Sequence, residues 1–403
     1  MTFENYQYTR PNVDNTKKQL SNLVTRLIEA NSTKETLEIF NEYNKLREYL
    51  ETMSTLVEIR ATIDTTDKFY EGEREFWDEF APELSSLQSK FNKEIYNSKF
   101  KSELEKEIGE HYFNLIEATL KVFSDEIIDD LKEENKLSSE YTKLTSSAKI
   151  PFDNGEHNLS GMAKYTQDAN REVRLAAAKA VAKFFKDNLE QYDSIYDRMV
   201  KVRTRIAKKL GFENFVEVAY LRLRRTDYNA KDVANYRKQI FEEIVPLVEK
   251  IKKEQAKRLG LEKLSFHDEG INFKSGNPTP KGDRPYLVDV AKTMYKELSP
   301  ETDEFFTFMT ENNLLDLDTK PGKAGGGYCT FLADYKAPFI FANFNGTPHD
   351  AEVLTHEAGH AFQAYESRNY IPDYVWPTFE ACEIHSMSME YLTWPWMNLF
   401  FKE

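Results

Sequence analysis

Three residues of the segment AEVLTHEAGHAFQAY, residues 351–365, have the types and spacing needed for metal-assisted hydrolysis. His356 and His360 are four residues apart, and Glu357 directly follows the first histidine. Side chains at positions i and i+4 of a helix project in nearly the same direction, so both imidazoles could bind one ion. Zinc accepts such ligands tetrahedrally and keeps one position for water in catalytic sites. A carboxylate placed like Glu357 could take a proton from a water that attacks a carbonyl group.

The H-E-x-x-H spacing needs a third ligand before it describes a metal site. A histidine at position 366 would supply one, but that residue is Glu366. The next acidic residues lie in FEACEIHSMSMEYL, residues 379–392. Glu383 and Glu390 are seven residues apart, about two helical turns, and so share a face. One could bind zinc while the other orients a ligand histidine. Glu380 is three residues before Glu383, and spacing alone does not choose between them. The competing interpretation is a surface helix with two solvated histidines.

The elements that must position these residues are predicted to be mainly helices. Residues 14 to about 145 show apolar residues at spacings of three and four, as in Leu20, Leu23 and Leu27. Near residue 150 the pattern breaks at a turn predicted from Asn154–Gly155. We therefore expect an N-terminal helical domain, residues 1–150, and a catalytic domain, residues 151–403.

A small β element is predicted just before the histidine motif. The segments TFLADY and PFIFANF have the composition of short strands, and they follow the three glycines of KAGGGY. After them, Thr347 is predicted to cap a helix whose first residue is Pro348. The fold class expected from these patterns is mainly α with a small β element beside the zinc helix.

Composition narrows the classes of function and location. The formal net charge of −14 argues against nucleic acid as a partner. Cys329 and Cys382 are the two cysteines, too few for a disulfide framework. The N-terminus lacks a basic region followed by an apolar run, and no stretch reaches the roughly 20 apolar residues of a membrane span. We therefore expect a cytoplasmic protein with no membrane partner.

The motifs together resemble a known family. HEAGHAFQAYES, EACEIHSMSMEYLTWPW and KAGGGYCTFLADYKAPFIFANFNGT resemble the oligoendopeptidase F branch of the thimet oligopeptidase-like zinc metallopeptidases. Strong similarity covers residues 320–397, and weaker similarity reaches back to about residue 130. The resemblance implies an elongated helical body with a deep channel that admits short peptides and excludes folded proteins. The implied activity is zinc-dependent endopeptidase hydrolysis of oligopeptides, with one zinc ion per chain.

The resemblance also implies a role for each site residue. His356, His360 and Glu383 become the zinc ligands, Glu357 becomes the general base that activates the attacking water, and Glu390 orients a ligand. An edge strand beside the zinc helix would pair with the substrate backbone, and PFIFANF is the expected strand. The residues expected to contact substrate are Gly326, Gly327, Phe341, Ala342, Phe344 and His385.

Family members continue past the sequence PWMNLFFKE, and their C-terminal part completes the catalytic lobe. The resemblance therefore implies that this chain is C-terminally incomplete. An alternative function follows, a catalytically impaired fragment that binds zinc and peptides without turnover. Apolar surface near TWPWMNLFF would favour self-association or a separate C-terminal segment as partner.

Overall fold

A computed structural model describes residues 1–401 of the chain, and it is mainly α-helical as predicted. The N-terminal helices follow one another with short connections. They are α1 (Val13–Glu29), α2 (Thr33–Ile63), α3 (Lys68–Tyr96), α4 (Lys101–Ile108), α5 (Glu110–Lys121) and α6 (Ile128–Ser146). Leu20, Leu23 and Leu27 are buried on one face of α1, which confirms the predicted amphipathic pattern.

The middle of the chain begins with an antiparallel hairpin of β1 (Ile150–Phe152) and β2 (Gly155–His157). Asp153 and Asn154 have positive φ values of 48° and 59° and form the turn, one residue earlier than the predicted Asn154–Gly155. The helices that follow are α7 (Ala163–Thr166), α8 (Arg171–Asp187), α9 (Leu189–Lys209), α10 (Phe215–Arg222), α11 (Ala230–Gln239) and α12 (Val245–Leu259). A π-helical turn at Ile240–Ile244 joins α11 and α12.

The last part of the chain contains the candidate site. Its elements are α13 (Arg284–Leu298), α14 (Pro300–Glu311), β3 (Leu315–Asp318), β4 (Tyr328–Leu332), β5 (Ala337–Phe344), α15 (His349–Ser367), α16 (Pro372–Val375), α17 (Cys382–Leu392) and α18 (Met397–Phe400). The strand order in the sheet is β3-β5-β4, with β3 parallel and β4 antiparallel to β5. The predicted strands are present, and β3 was not predicted.

The main hydrophobic core joins the two ends of the chain. It contains residues from Phe3 to Ile116 and again from Leu287 to Phe400, while smaller clusters form around Ile206 and Ile150. The sheet and α15 therefore pack on the N-terminal helices. The predicted division at residue 150 stays a prediction, since this core draws on both sides of it.

Two structural features concern the predictions about a membrane partner and about self-association. Within residues 1–401, no helix combines the length and apolar character needed to cross a bilayer. Near the end of the chain, Trp394 is 63% exposed and Tyr391 is 64% exposed, whereas Phe400 is fully buried. The apolar surface expected near TWPWMNLFF is thus present only in part.

Candidate active site

The loop before α15 fixes where the motif helix begins. The Asp350 carboxylate accepts hydrogen bonds from the backbone N–H groups of Asn345 (2.9 Å) and Gly346 (2.8 Å). The helix starts at His349, and the buried Thr347 hydroxyl has no partner among the described residues. The prediction of Thr347 as the cap was therefore wrong, because an acidic residue in the first turn satisfies the loop instead.

The two histidines of the motif face one carboxylate. His356 Nε2 lies 3.1 Å from Glu383 Oε2, and His360 Nε2 lies 3.6 Å from the same oxygen. One ligand atom from each of these three residues lies within 4.8 Å of the others. Burial, followed by the nearby His356, lowers the pKa of His360 to about 4. His360 is therefore neutral at physiological pH and keeps a lone pair for a metal.

The structure distinguishes Glu380 from Glu383, the two candidates for a third ligand that spacing in the sequence did not separate. Glu380 is not part of the group formed with the histidines, and both of its oxygens have other partners: Arg225 Nε donates to Oε1 at 2.8 Å and the Tyr228 hydroxyl donates to Oε2 at 2.6 Å. Glu383 lies with the histidines, and its Oε2 also accepts a hydrogen bond from the Ser386 hydroxyl at 2.8 Å. Nothing in the sequence pairs Arg225 with Glu380, since they are 155 residues apart.

The other ring nitrogen, Nδ1, of His356 and of His360 also lies within hydrogen-bond distance of a side chain. His356 Nδ1 lies 2.6 Å from Glu390 Oε1, the arrangement expected of a carboxylate that orients a ligand. His360 Nδ1 lies 3.0 Å from Nε2 of His385. His385 was predicted to contact substrate, but the structure places this nitrogen against His360. If His360 binds a metal through Nε2, its Nδ1 carries the proton and donates to His385.

Glu357 is a buried carboxylate that lacks a full set of partners. The residue is only 7% exposed, and its Oε2 has no hydrogen-bond partner within residues 1–401. Burial raises the pKa of Glu357 to about 7, with a smaller opposing effect from His356. A buried acid with a strongly shifted pKa and a free oxygen indicates a functional group.

The glycines before β4 leave room beside Glu357. A Cβ atom at Gly327 would lie 3.3 Å from both Glu357 Oε1 and Val353 Cγ1. Gly326 has a φ of +87° and open space around it. Asn343 holds this loop by donating to the carbonyls of Ala324 and Gly326, both at 2.8 Å. The loop therefore brings the start of β4 against Glu357.

The expected substrate strand is not an edge strand. β5 lies in the middle of the sheet, and β4 is the outer strand next to the motif helix. Phe341 and Ala342 are fully buried and Phe344 is 7% exposed. The substrate contacts predicted for these three residues are therefore wrong, because neighbouring strands and the core already occupy both sides of β5.

The open edge of β4 can be assigned from register. The Ile340 N–H bonds to the Leu314 carbonyl at 2.9 Å, so Ile340 directs its backbone groups toward β3. Backbone groups alternate along a strand, so Phe339 directs its groups toward β4 and pairs with Thr330. The groups of Cys329 and Phe331 then face away from the sheet.

A close contact between helices sets the position of Glu383. A Cβ atom at Gly359 would lie 2.7 Å from the Ser386 Cα and 3.0 Å from the His385 carbonyl oxygen. Only glycine permits this approach of α15 to α17. The sequence shows this glycine inside the H-E-x-x-H motif, but it does not show that α17 packs against it.

Comparisons with known proteins identify the class of this molecule. The peptidase M3 N-terminal domain matches residues 3–123, and the peptidase family M3 domain matches residues 288–402. The comparison with curated proteins returns no match. Among solved structures, a protein of Bacillus anthracis str. Ames assigned as an oligoendopeptidase F is 52% identical, with a TM-score of 0.99 over 100% of this chain and 74% of that chain.

Two further structures extend the comparison. PZ peptidase A, solved with an inhibitor, is 50% identical with a TM-score of 0.99, and the match covers 99% of this chain and 71% of that chain. Oligoendopeptidase-F of Enterococcus faecium is 14% identical with a TM-score of 0.54 over 94% of this chain and 66% of that chain, which shows the fold alone. The fold and the family domains define a peptidase. The chain belongs to peptidase family M3, in the branch of oligoendopeptidase F.

Proposed function

We propose that this protein is a zinc-dependent endopeptidase that hydrolyses short oligopeptides. One observation carries the proposal: two histidine Nε2 atoms and one oxygen of Glu383 converge near the buried carboxylate of Glu357, whose Oε2 has no partner among the described residues. Two imidazoles and a carboxylate are a donor set that suits zinc, and they leave a further position free. His356, His360 and Glu383 would hold one zinc ion per chain.

When bound, zinc would lower the pKa of a water molecule and polarise the peptide carbonyl group. Glu357 would accept the proton of the attacking water and later deliver it to the leaving amine. Its buried position and the free Oε2, within residues 1–401, leave it able to take and return a proton. Glu390 would orient His356, and His385 would fix the proton of His360 on Nδ1.

The open edge of β4 is the proposed substrate strand. Gly327 lies at its start beside Glu357, and the outward backbone groups of Cys329 and Phe331 continue along it. An extended peptide could add to this edge through main-chain hydrogen bonds. Main-chain pairing does not depend on the side chains of the substrate, which suits an enzyme acting on many short peptides.

The test measures zinc content and peptide cleavage in the same samples. We expect one zinc per chain after reloading and cleavage of a quenched fluorescent peptide that a chelator stops and zinc restores. His360→Ala should lose both, whereas His349→Ala, an exposed histidine of the same helix, should lose neither. Cleavage that survives complete zinc removal would refute the proposal. Zinc binding without cleavage would favour the alternative of a protein that binds zinc and peptide without turnover.

A further inference from the structure

Lys323 is a lysine without access to solvent in the connection between β3 and β4, residues 319–327. Its side chain is 0% exposed. Its Nζ atom lies within hydrogen-bond distance of the Asp316 carboxylate and of three backbone carbonyls, those of Asp316 (3.1 Å), Asp318 (2.9 Å) and Ala342 (2.5 Å). Lysine is almost never buried so completely unless it is paired. The side chain of Lys323 therefore joins the connection to both β3 and β5.

This lysine lies at an irregular part of the sheet. The pairing of β3 with β5 shifts register between Asp316 and Asp318. A shift of this kind disrupts the ladder locally, and buried carbonyl groups without donors cost stability. The ammonium group of Lys323 lies against carbonyls of both strands and can donate to them. It replaces ladder hydrogen bonds at this point, and in doing so it fixes the position of its own backbone.

Asn343 makes the reciprocal contact from β5. Its Nδ2 group donates to the carbonyls of Ala324 and Gly326, both at 2.8 Å. Lys323 thus reaches from the connection to β5, and Asn343 reaches from β5 to the connection. The carbonyl and N–H groups of a trans peptide point in opposite directions. Because the Gly326 carbonyl faces Asn343, the Gly327 N–H group points away from β5 and toward the open edge of β4.

The three glycines of the connection have no side chains that could hold them in place. Consecutive glycines have many accessible backbone conformations, so outside contacts must select one. Gly327, the last of them, lies beside Glu357. Building on the proposed peptidase function, we propose that Lys323 and Asn343 are positioning residues of the active site. They hold Gly327 so that a peptide paired with the edge of β4 presents its carbonyl group at a fixed distance from Glu357.

The test compares Asn343→Leu and Lys323→Met, which nearly keep the size of each side chain and remove its donors. A displacement of about 1 Å at a reaction site can cost roughly a hundredfold in rate, so kcat for a quenched fluorescent peptide should fall by about that factor. Zinc content and zinc affinity should stay at the wild-type values, because the proposed ligands lie on α15 and α17. Asn343→Leu keeps the test decisive if Lys323→Met does not fold.

Two variants at the start of the same connection are the matched controls. Lys320→Met removes an ammonium group that lies 3.8 Å from Asp316 Oδ2 on a side chain that is 45% exposed. Asn158→Leu removes an amide that donates to the Lys320 carbonyl at 3.0 Å. Both changes act ahead of the glycines, so kcat should stay near the wild-type value.

Hydrogen exchange measured by mass spectrometry reports on the glycines without turnover. In Asn343→Leu, exchange should become faster in residues 324–332 and stay unchanged in α15 and α17, because only the local contacts are lost. A merely structural role would also loosen these helices and lower the zinc content.

The outcomes separate this inference from the proposed function. Absence of cleavage by the wild-type protein would refute the peptidase function, while faster exchange confined to residues 324–332 would still support the positioning of the glycines. An active wild type with equal kcat in Asn343→Leu and Lys323→Met would leave the peptidase function intact and overturn the inference. A loss of kcat matched by an equal loss of bound zinc, or faster exchange throughout α15, would also overturn it.

Discussion

Asp268 and Glu357 are both carboxylates that are nearly inaccessible to solvent, yet their surroundings are opposite. Asp268 is fully buried and accepts hydrogen bonds from Arg171 Nη2 and Arg174 Nη2, both at 2.8 Å, and from the Ser265 backbone N–H at 3.0 Å. These donors, Arg171 first, hold the pKa of Asp268 well below its usual range. Glu357 keeps one oxygen without a partner among the described residues, and burial raises its pKa to about 7.

The difference between Asp268 and Glu357 separates a structural role from a chemical one. A buried carboxylate with all its donors in place ties helix α8 to the turn around Ser265 and stabilises that region. A buried carboxylate with a free oxygen costs stability and persists where proteins handle protons or ions. The predictions below test this division, from the largest expected effect to the smallest.

Glu357→Gln should reduce kcat/KM for a peptide by about a thousandfold, because general-base catalysis typically contributes a hundredfold to ten-thousandfold. The fold should be retained, since the substitution removes an unpaired buried charge. Steady-state kinetics and thermal unfolding measure the two effects. Glu366→Gln, at an exposed position of the same helix, is the control and should keep full activity. Comparable activity in both variants would remove Glu357 from the mechanism.

Asp268→Asn should destabilise the protein by about 3 kcal/mol, because it leaves buried Arg174 without its charge partner. Activity per folded molecule should stay near the wild-type value, since Asp268 belongs to a structural cluster. Urea unfolding combined with activity titration checks both statements. A loss of activity without a loss of stability would contradict the structural role.

The contribution of Asp268 should also depend on pH in a fixed direction. Its pKa is lowered in the folded protein from an ordinary value of 3.8, so its stabilising effect is complete above that value. The effect is lost as the pH falls through the lower folded pKa, because protonation removes the charge that the arginines need. The stability difference between wild type and Asp268→Asn should therefore be constant from pH 5 to 7 and shrink below about pH 4.

Gly359→Ala should separate α17 from α15, since the added Cβ would lie 2.7 Å from the Ser386 Cα. Overpacking of this kind costs about 1–3 kcal/mol, and the shift of Glu383 should weaken zinc affinity. Competition with a fluorescent chelator measures the affinity. Gly72→Ala is the control, because nothing lies within 4 Å of a Cβ atom there. Equal zinc affinity in both variants would show that the helix contact does not position Glu383.

Glu390→Gln should have the smallest effect, a loss of zinc affinity of about tenfold to a hundredfold. Gln can still accept a hydrogen bond from His356 Nδ1 but does not carry the charge that raises the basicity of the ring. Zinc competition and kcat/KM at saturating zinc separate binding from catalysis. Unchanged affinity would show that the contact with His356 is incidental to the metal site.

Local patterns predicted much of this molecule, and long-range contacts account for the errors. The helices, the hairpin near residue 150 and the pairing of His356 with His360 follow from spacing within a few turns. The central position of β5 depends on β3, a four-residue strand whose pairing the sequence does not specify. The choice of Glu383 over Glu380 depends on Arg225, which is distant in sequence.

The main hydrophobic core, which both ends of the chain share, affects how the chain folds during synthesis. The N-terminal helices, up to Ile116, pack partly on one another, but the other half of their core begins only at Leu287. At typical synthesis rates of 5–20 residues per second, the nascent helices wait on the order of ten seconds or more for that half. During that time the N-terminal helices can pack on one another, but the surfaces that later meet the C-terminal part of the core stay open. The middle clusters around Ile206 and Ile150 can close earlier, so folding should finish where the two ends of the chain meet.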